Sequence, residues 1–252
     1  MHKLLNYSIQ GEGFPVVFIH GFLEDLTMWK YMAPITGFQS ICIDLPGHGL
    51  SEVSVDFSIS TMATQVTLLL DTLNIDEFHV VGHSMGGYVG LELLSSDGRT
   101  QKLVLMNSNF WSDDEEKKNN RRRVAQIVLK NKNVFLYEAI PNLFFRPEAF
   151  DSEIKEIIEG AKKMEASTIA GCSITMSHRS DFSALVGRHQ EDIFIIQGAH
   201  DTIVDPIKMK KAAEGFRQLT VKIVNGGHMS HLEDLTTTKN LIKDFIRKNG
   251  SD

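Results

Sequence analysis

Cysteine, proline and tryptophan are scarce in this 252-residue chain, at two, six and two residues. Two thiols cannot build a disulfide framework. Cys42 sits inside Ser40-Ile41-Cys42-Ile43, a run that reads as a buried strand, so a reduced, apolar role is expected for it. Long hydrophobic runs are missing as well: the segment Met1 to Gly13 has no apolar stretch, and Val16 to Ile19 is the size of a strand. A soluble, cytoplasmic protein with no membrane span is the expectation. Nor is there an excess of positive charge. The 26 Lys+Arg stand against 32 Asp+Glu, a net charge of −6, and the basic residues are spread out apart from one short run, so nucleic acid is not an expected partner. There is no internal repeat and no low-complexity segment.

What is present is enough apolar residue, 42%, for one large domain or a domain with an insertion. A chain of this size buries about 70 to 75% of its unfolded surface. Short β-branched runs recur along it: Val16 to Ile19, Ile41 to Ile43, Phe78 to Val81, Leu103 to Met106, Ile193 to Ile196 and Val221 to Val224. They read as strands buried on both faces. Between them Met62 to Leu73, Tyr88 to Leu94, Ile207 to Phe216 and Leu235 to Ile246 carry apolar residues at helical spacing. This alternation predicts a mostly parallel, doubly wound α/β sheet flanked by helices.

The alternation fails between Phe110 and about Gly187, where helical patterns persist without strand-like runs. The reading is a core of residues 1–110 and 188–252 with a helical lid, or cap, inserted at 111–187. Ser112 and Glu115 have the spacing of a capping box, with Asp113 to Glu116 at the positive end of the helix dipole. Lys117 and Lys118 fall at i+4 from Asp113 and Asp114, which predicts two modest ion pairs. The run Arg121-Arg122-Arg123 is expected on a solvated helix face.

The chemistry centres on Gly82-His83-Ser84-Met85-Gly86, directly after a predicted strand and directly before a predicted helix. Gly-x-Ser-x-Gly in that context is a nucleophile elbow. The serine occupies a strained turn, and the flanking glycines let strand and helix approach without a clash. The following helix directs its first amides and its positive end toward any anion formed at Ser84. After the first strand, the glycine of His20-Gly21-Phe22 permits a sharp turn. The Phe22 and Met85 amides are the expected oxyanion donors. His20 is expected to be an orienting or hydrogen-bonded structural residue, and Asp44 to Ser51 a turn-forming scaffold that includes His48.

An acid and a base should follow the serine in the order acid, then histidine. Asp201 stands on the loop after Ile196-Gln197-Gly198, and His228 follows Asn225-Gly226-Gly227 after the last strand. In this reading His228 takes the Ser84 proton and Asp201 holds the imidazole tautomer. Asp205, His231 and His200 are competitors for these posts. The first member of each pair is preferred, because it comes soonest after its strand and glycine. Apolar candidates for the substrate wall are Trp111, Leu143, Phe144 and Phe145 from the lid, with Phe22, Trp29 and Met85 below.

With these residues in view, the sequence resembles the α/β-hydrolase superfamily: His20-Gly21-Phe22, Asp44 to Gly49, Gly82 to Gly87, Asp201 and Gly227-His228 occur in its usual order. The match covers nearly the whole chain except the lid. The resemblance implies a Ser84, Asp201, His228 triad, an oxyanion hole at Phe22 and Met85, no metal or organic cofactor, and a small-molecule acyl substrate. The Asp44 to Gly49 block and the short lid look like those of small bacterial-type carboxylesterases and related acyl hydrolases. The menaquinone-pathway synthase, a lyase, uses the same triad, but that family tends to have an arginine where Tyr88 follows Gly86-Gly87 here. A non-catalytic binder on the same fold is a third reading. Dehalogenase relatives carry aspartate at the position of Ser84.

Overall fold

In the computed structural model, residues 4–53 and 57–247 are described. The strands are β1 (Tyr7–Gln10), β2 (Phe14–Ile19), β3 (Phe38–Ile43), β4 (Phe78–His83), β5 (Thr100–Met106), β6 (Ile193–Gly198) and β7 (Thr220–Val224). They form one sheet in the order β1-β3-β2-β4-β5-β6-β7, parallel except for β1, which runs antiparallel to β3. The six runs singled out in the sequence all lie within these strands. β1 is an addition: it is short and mostly exposed, so no apolar pattern announces it.

Alternation along the strands fills two cores. On one face Val17 and Ile19 pack with Val80, Leu103 and Leu105 beneath α1 (Ile59–Thr72) and α2 (Met85–Ser96). On the other, Val16 and Phe18 pack with Val81, Val104 and Ile196, covered by the short 3-10 turn Leu26–Tyr31 and by α9 (Leu235–Arg247). Each fully buried side chain of this size contributes about 1.5 to 3 kcal/mol. Ser58 caps α1 by accepting from the Thr61 amide at 3.0 Å. α7 (Pro206–Ala213) joins β6 to β7, and α8 (Ser230–Glu233) precedes α9.

Between β5 and β6 lie α3 (Glu115–Ala139), α4 (Asp151–Ala161), α5 (Ala166–Ser177) and α6 (Ser183–Arg188). α3, α4 and α5 share an apolar core, which includes Val128, Leu136, Phe144, Ile158 and Ile169 and takes in Leu23 and Met229 from the sheet's loops, while α6 packs on the sheet through Leu185 and Val186. α3 is kinked at Asn131, whose backbone is extended and whose side chain accepts from the Val134 amide at 3.3 Å, capping the second half.

The start of α3 differs from the expected capping box. Its cap is Asp114, whose carboxylate accepts from the Lys117 amide at 2.9 Å, because Asp114 and not Ser112 is the last extended residue before the helix. The two i+4 pairs do not form either. Asp113 is buried and serves Arg121 and Arg179, both at 2.7 Å, while Lys118 pairs with Glu115.

Candidate active site

β4 delivers the chain into Ser84, and α2 begins at the next residue. Ser84 has φ +49°, a region a side-chain-bearing residue occupies only under local constraint. That constraint is visible. A Cβ on Gly82 would meet the Gly86 carbonyl oxygen at 2.5 Å, and one on Gly86 would fall against the Ile19 and His20 carbonyls. Only glycines let β2, β4 and α2 meet this closely. The turn is held by the Ser84 amide donating to the Met106 carbonyl at 3.0 Å and by the Ser108 hydroxyl donating to the Ser84 carbonyl at 2.7 Å.

Three strand ends converge here. His228 Nε2 lies 2.9 Å from Ser84 Oγ, and His228 Nδ1 lies 2.9 and 3.1 Å from the two oxygens of Asp201. Asp201 leaves the end of β6 and His228 the end of β7, where open α/β sheets gather their sites. The Asp201 carboxylate also accepts from the Asn107 and Gln197 side-chain amides, each at 2.9 Å, and from the Ile203 and Val204 backbone amides. Burial works against its charge, but the His228 imidazole and these donors hold its pKa well below the usual carboxylate range. A hydroxyl, an imidazole and an ionised carboxylate in this line can withdraw a proton from the hydroxyl and return it to a leaving group.

The amides of Phe22 and Met85 flank this line in sequence: Phe22 follows the Gly21 turn, and Met85 opens α2, where the first amides have no partner within the helix. Glu24 and His83, a buried pair, stand behind the turn. Glu24 accepts from the Gly21 amide at 2.6 Å and from His83 Nδ1 at 2.9 Å, and His83 Nε2 donates to the His228 carbonyl at 2.9 Å. A single charged pair therefore ties together the Gly21 turn, the Ser84 elbow and the His228 loop. Sequence reasoning missed Glu24, Asn107 and also Glu233. Glu233 accepts from the Gly227 amide at 2.6 Å and the Phe145 amide at 2.8 Å, joining the His228 loop to the segment between α3 and α4. The cluster Asn107-Ser108-Asn109 at the end of β5 was the available signal, since polar residues crowd strand ends at such sites.

The competitors have other places. Asp205 caps α7 through the Ile207 amide, His231 is wholly buried 6.0 Å from the Trp29 ring, and His200 stacks on Phe145 at 3.5 Å. His20 is buried, with Nδ1 donating to the Gly21 carbonyl and Nε2 accepting from the Leu45 amide. His48 lies against its own turn, bonded to the Pro46 carbonyl, so neither it nor His20 meets Ser84.

A cavity of about 250 Å³ opens on Ser84 and His228. Phe22 and Leu143 line it, together with Tyr88, Val124, Phe135 and Met176. Five of the expected wall residues lie elsewhere. Trp29 is wholly buried against Phe18 on the opposite side of the sheet, because the turn that carries it packs under the sheet. Trp111 packs edge-on to Phe110 and faces a neighbouring cleft. Phe144 is buried in the core that α3, α4 and α5 share, stacked on Phe150, and Phe145 is turned outward onto His200. Met85 is buried in the core beneath α2, so only its amide remains to serve the site. The arginine run also divides. Arg121 lines the cavity and is bound to buried Asp113, whereas Arg122 and Arg123 are exposed.

Comparison with known proteins bears on this arrangement. The family model described as "alpha/beta hydrolase fold" matches residues 15–154, more than half of the chain. The chain belongs to the α/β-hydrolase fold family. It is similar to a dihydrolipoyllysine-residue acetyltransferase component of an acetoin cleaving system from Pseudomonas putida, at 26% identity over 96% of this chain, and spans 66% of that relative's length. It is also similar to a putative carbamate hydrolase RutD from Agrobacterium fabrum, at 26% identity over 79% of this chain and 78% of that protein. Among solved structures, a thermophilic esterase from Thermogutta terrifontis superimposes with a TM-score of 0.87 at 27% identity, covering 97% of this chain and 93% of the other. No helix among the described residues is long and apolar enough to cross a membrane.

Proposed function

We propose that this hydrolase-family protein cleaves a small carboxylic ester, or a related acyl compound, through an acyl-Ser84 intermediate. The observation that carries the reading is the unbroken line from Ser84 Oγ to His228 to the Asp201 carboxylate, at 2.9 Å on each side of the imidazole.

In the first half-reaction Ser84 Oγ attacks the carbonyl carbon while His228 Nε2 takes its proton. The carbonyl electrons move onto oxygen, where the Phe22 and Met85 amides stabilise the charge. The C–O bond to the alcohol then breaks, and His228 returns the proton to the leaving oxygen. In the second half, water gives its proton to His228, adds to the acyl carbon and releases the acid, and Ser84 regains its proton. Asp201 stays ionised throughout and compensates the imidazolium. The helical insertion acts as a cap: it supplies Leu143, Val124 and Phe135 to the wall, and its Leu143 carbonyl accepts from the His228 amide at 2.8 Å. The small cavity suits a short acyl or alcohol group better than a long lipid chain.

A chain-length panel of 4-nitrophenyl esters, assayed on the wild type and on Ser84→Ala together, tests this. Turnover is expected to favour short chains and to fall about 10⁴- to 10⁶-fold in kcat in the variant. A variant retaining more than a tenth of wild-type turnover would remove Ser84 from its role.

A further inference from the structure

The face that α3 turns into the cavity changes character along its length. Lys117, Asn120, Arg121 and Val124 follow one another at i, i+3, i+4 and i+7, so they share one side of the helix, and all four line the cavity that holds Ser84 and His228. Beyond the kink at Asn131 the same helix contributes Phe135 and Ala139. The wall is cationic at one end and apolar at the other.

The cations are not fully matched. One carboxylate, Asp113, serves two guanidinium groups, those of Arg121 and Arg179. Lys117 has only the Ile203 carbonyl, at 3.2 Å, and among the described residues no carboxylate lies within ion-pair distance of it. Of the other carboxylates at the cavity, Glu24 is bound to His83 and Asp201 to His228. Asp114 and Glu116 line the neighbouring cleft, which Lys117 and Asn120 border as well, but they do not line the cavity that holds Ser84. Burial and the nearby Arg121 and Arg179 charges disfavour Lys117 as an ammonium more than the Asp113 and Asp201 carboxylates favour it, and it sits in the first turn of α3, where the helix dipole is positive. An anion beside Lys117 and Arg121 would relieve all of these at once, and a planar guanidinium with a lysine alongside suits a carboxylate.

We propose that the substrate carries a carboxylate remote from its scissile carbonyl, held by Lys117 and Arg121 while the carbonyl lies at Ser84. This rests on the ester-hydrolase reading for its orientation, but the anion site itself does not. Asn120, which lines the same face of α3, is a further donor. The apolar wall at Val124, Phe135 and Leu143 receives the rest of the substrate.

Two isosteric pairs test it. Mono-4-nitrophenyl glutarate against 4-nitrophenyl 5-methylhexanoate puts the charge on the acyl side, and 4-butyryloxybutanoate against 4-methylpentyl butyrate puts it on the alcohol side. In one pair or the other, kcat/KM is expected to be at least about tenfold higher for the charged member. That ratio should fall about tenfold or more in Lys117→Met and in Arg121→Met. Lys117→Met is the safer variant, since Arg121 also neutralises buried Asp113. Equal or lower kcat/KM for the charged member of both pairs, or a ratio unchanged in Lys117→Met, overturns the proposal. Calorimetry of glutarate on Ser84→Ala separates the two readings. Glutarate binding that is lost in Ser84→Ala/Lys117→Met, with no hydrolysis of any ester by the wild type, keeps the anion site and sinks ester hydrolysis. Hydrolysis of the neutral esters with no glutarate binding does the reverse.

Discussion

Oε2 of Glu24 lies 2.9 Å from Nδ1 of His83, with both side chains all but closed to solvent. Because Nε2 of the same ring faces the His228 carbonyl, both nitrogens meet acceptors and the imidazole carries both protons. Burial works against the charge on each partner. The Glu24 carboxylate nevertheless raises the His83 pKa, and His83 lowers that of Glu24. Removing one partner strands the other, so Glu24→Ala is expected to lower unfolding free energy by about 3 to 5 kcal/mol in urea. A loss below about 1 kcal/mol would mean the pair is not charged.

Four other histidines are in the opposite condition. Burial pushes His48 and His231 down to about 3 and His79 to about 4, and it lowers His20 as well. Each stays neutral in the folded protein and takes a proton on unfolding below its ordinary value of 6.5, so its contribution to stability is complete above pH 6.5 and is lost as pH falls. His83 behaves oppositely, its contribution being complete below 6.5 and lost as pH rises through its raised value. Four outweigh one. Glu24 and Asp201, both lowered, add a further loss below about pH 4.5. The urea midpoint should therefore decline steadily between pH 6.5 and 4.5, and a flat midpoint over that range would contradict the burial of these rings as neutral groups.

Asp201→Asn probes the acid without changing its shape. An amide cannot offer His228 Nδ1 a carboxylate, and it no longer compensates an imidazolium. Steady-state assays on a short aryl ester should show kcat reduced on the order of 10⁴-fold with KM little changed. A decrease of less than about tenfold would leave Asp201 a structural role only.

Gly86 and Gly215 make a matched pair for the elbow. A methyl group at Gly86 would press on two carbonyl oxygens of the β2 end, whereas at Gly215 it would meet nothing within 4 Å. Gly86→Ala should lose about 3 kcal/mol or more, and Gly215→Ala should stay within about 0.5 kcal/mol of the parent. Thermal unfolding of both variants decides it: similar midpoints would show that the elbow is not as tight as described.

How far the sequence could be read follows from where each partner lies. Ser84, Asp201 and His228 were legible because each follows a β-branched run and a glycine, so strand ends alone bring them together. Glu24 and Asn107 were not, because their partners His83 and Asp201 stand 59 and 94 positions away and no local pattern links them. Trp29 was misplaced for a related reason. Its neighbours put it close to the Phe22 turn, but nothing local says that the 3-10 turn packs beneath the sheet, where Trp29 meets Phe18. The Arg121-Arg122-Arg123 run shows the same limit at the scale of a helix. Composition makes all three look solvated, and only the placement of α3 selects Arg121, on the side shared with Lys117 and Val124. β1 went unread because an exposed edge strand needs no apolar alternation.

The claim on which the functional account depends is that Ser84 becomes covalently acylated. A fluorophosphonate traps an activated serine in the same way, and peptide mapping by mass spectrometry locates the adduct. A single adduct is expected on the peptide containing Ser84, absent from Ser84→Ala and strongly slowed in Asp201→Asn. No adduct on Ser84, or equal labelling of the Ser84→Ala protein, would contradict it.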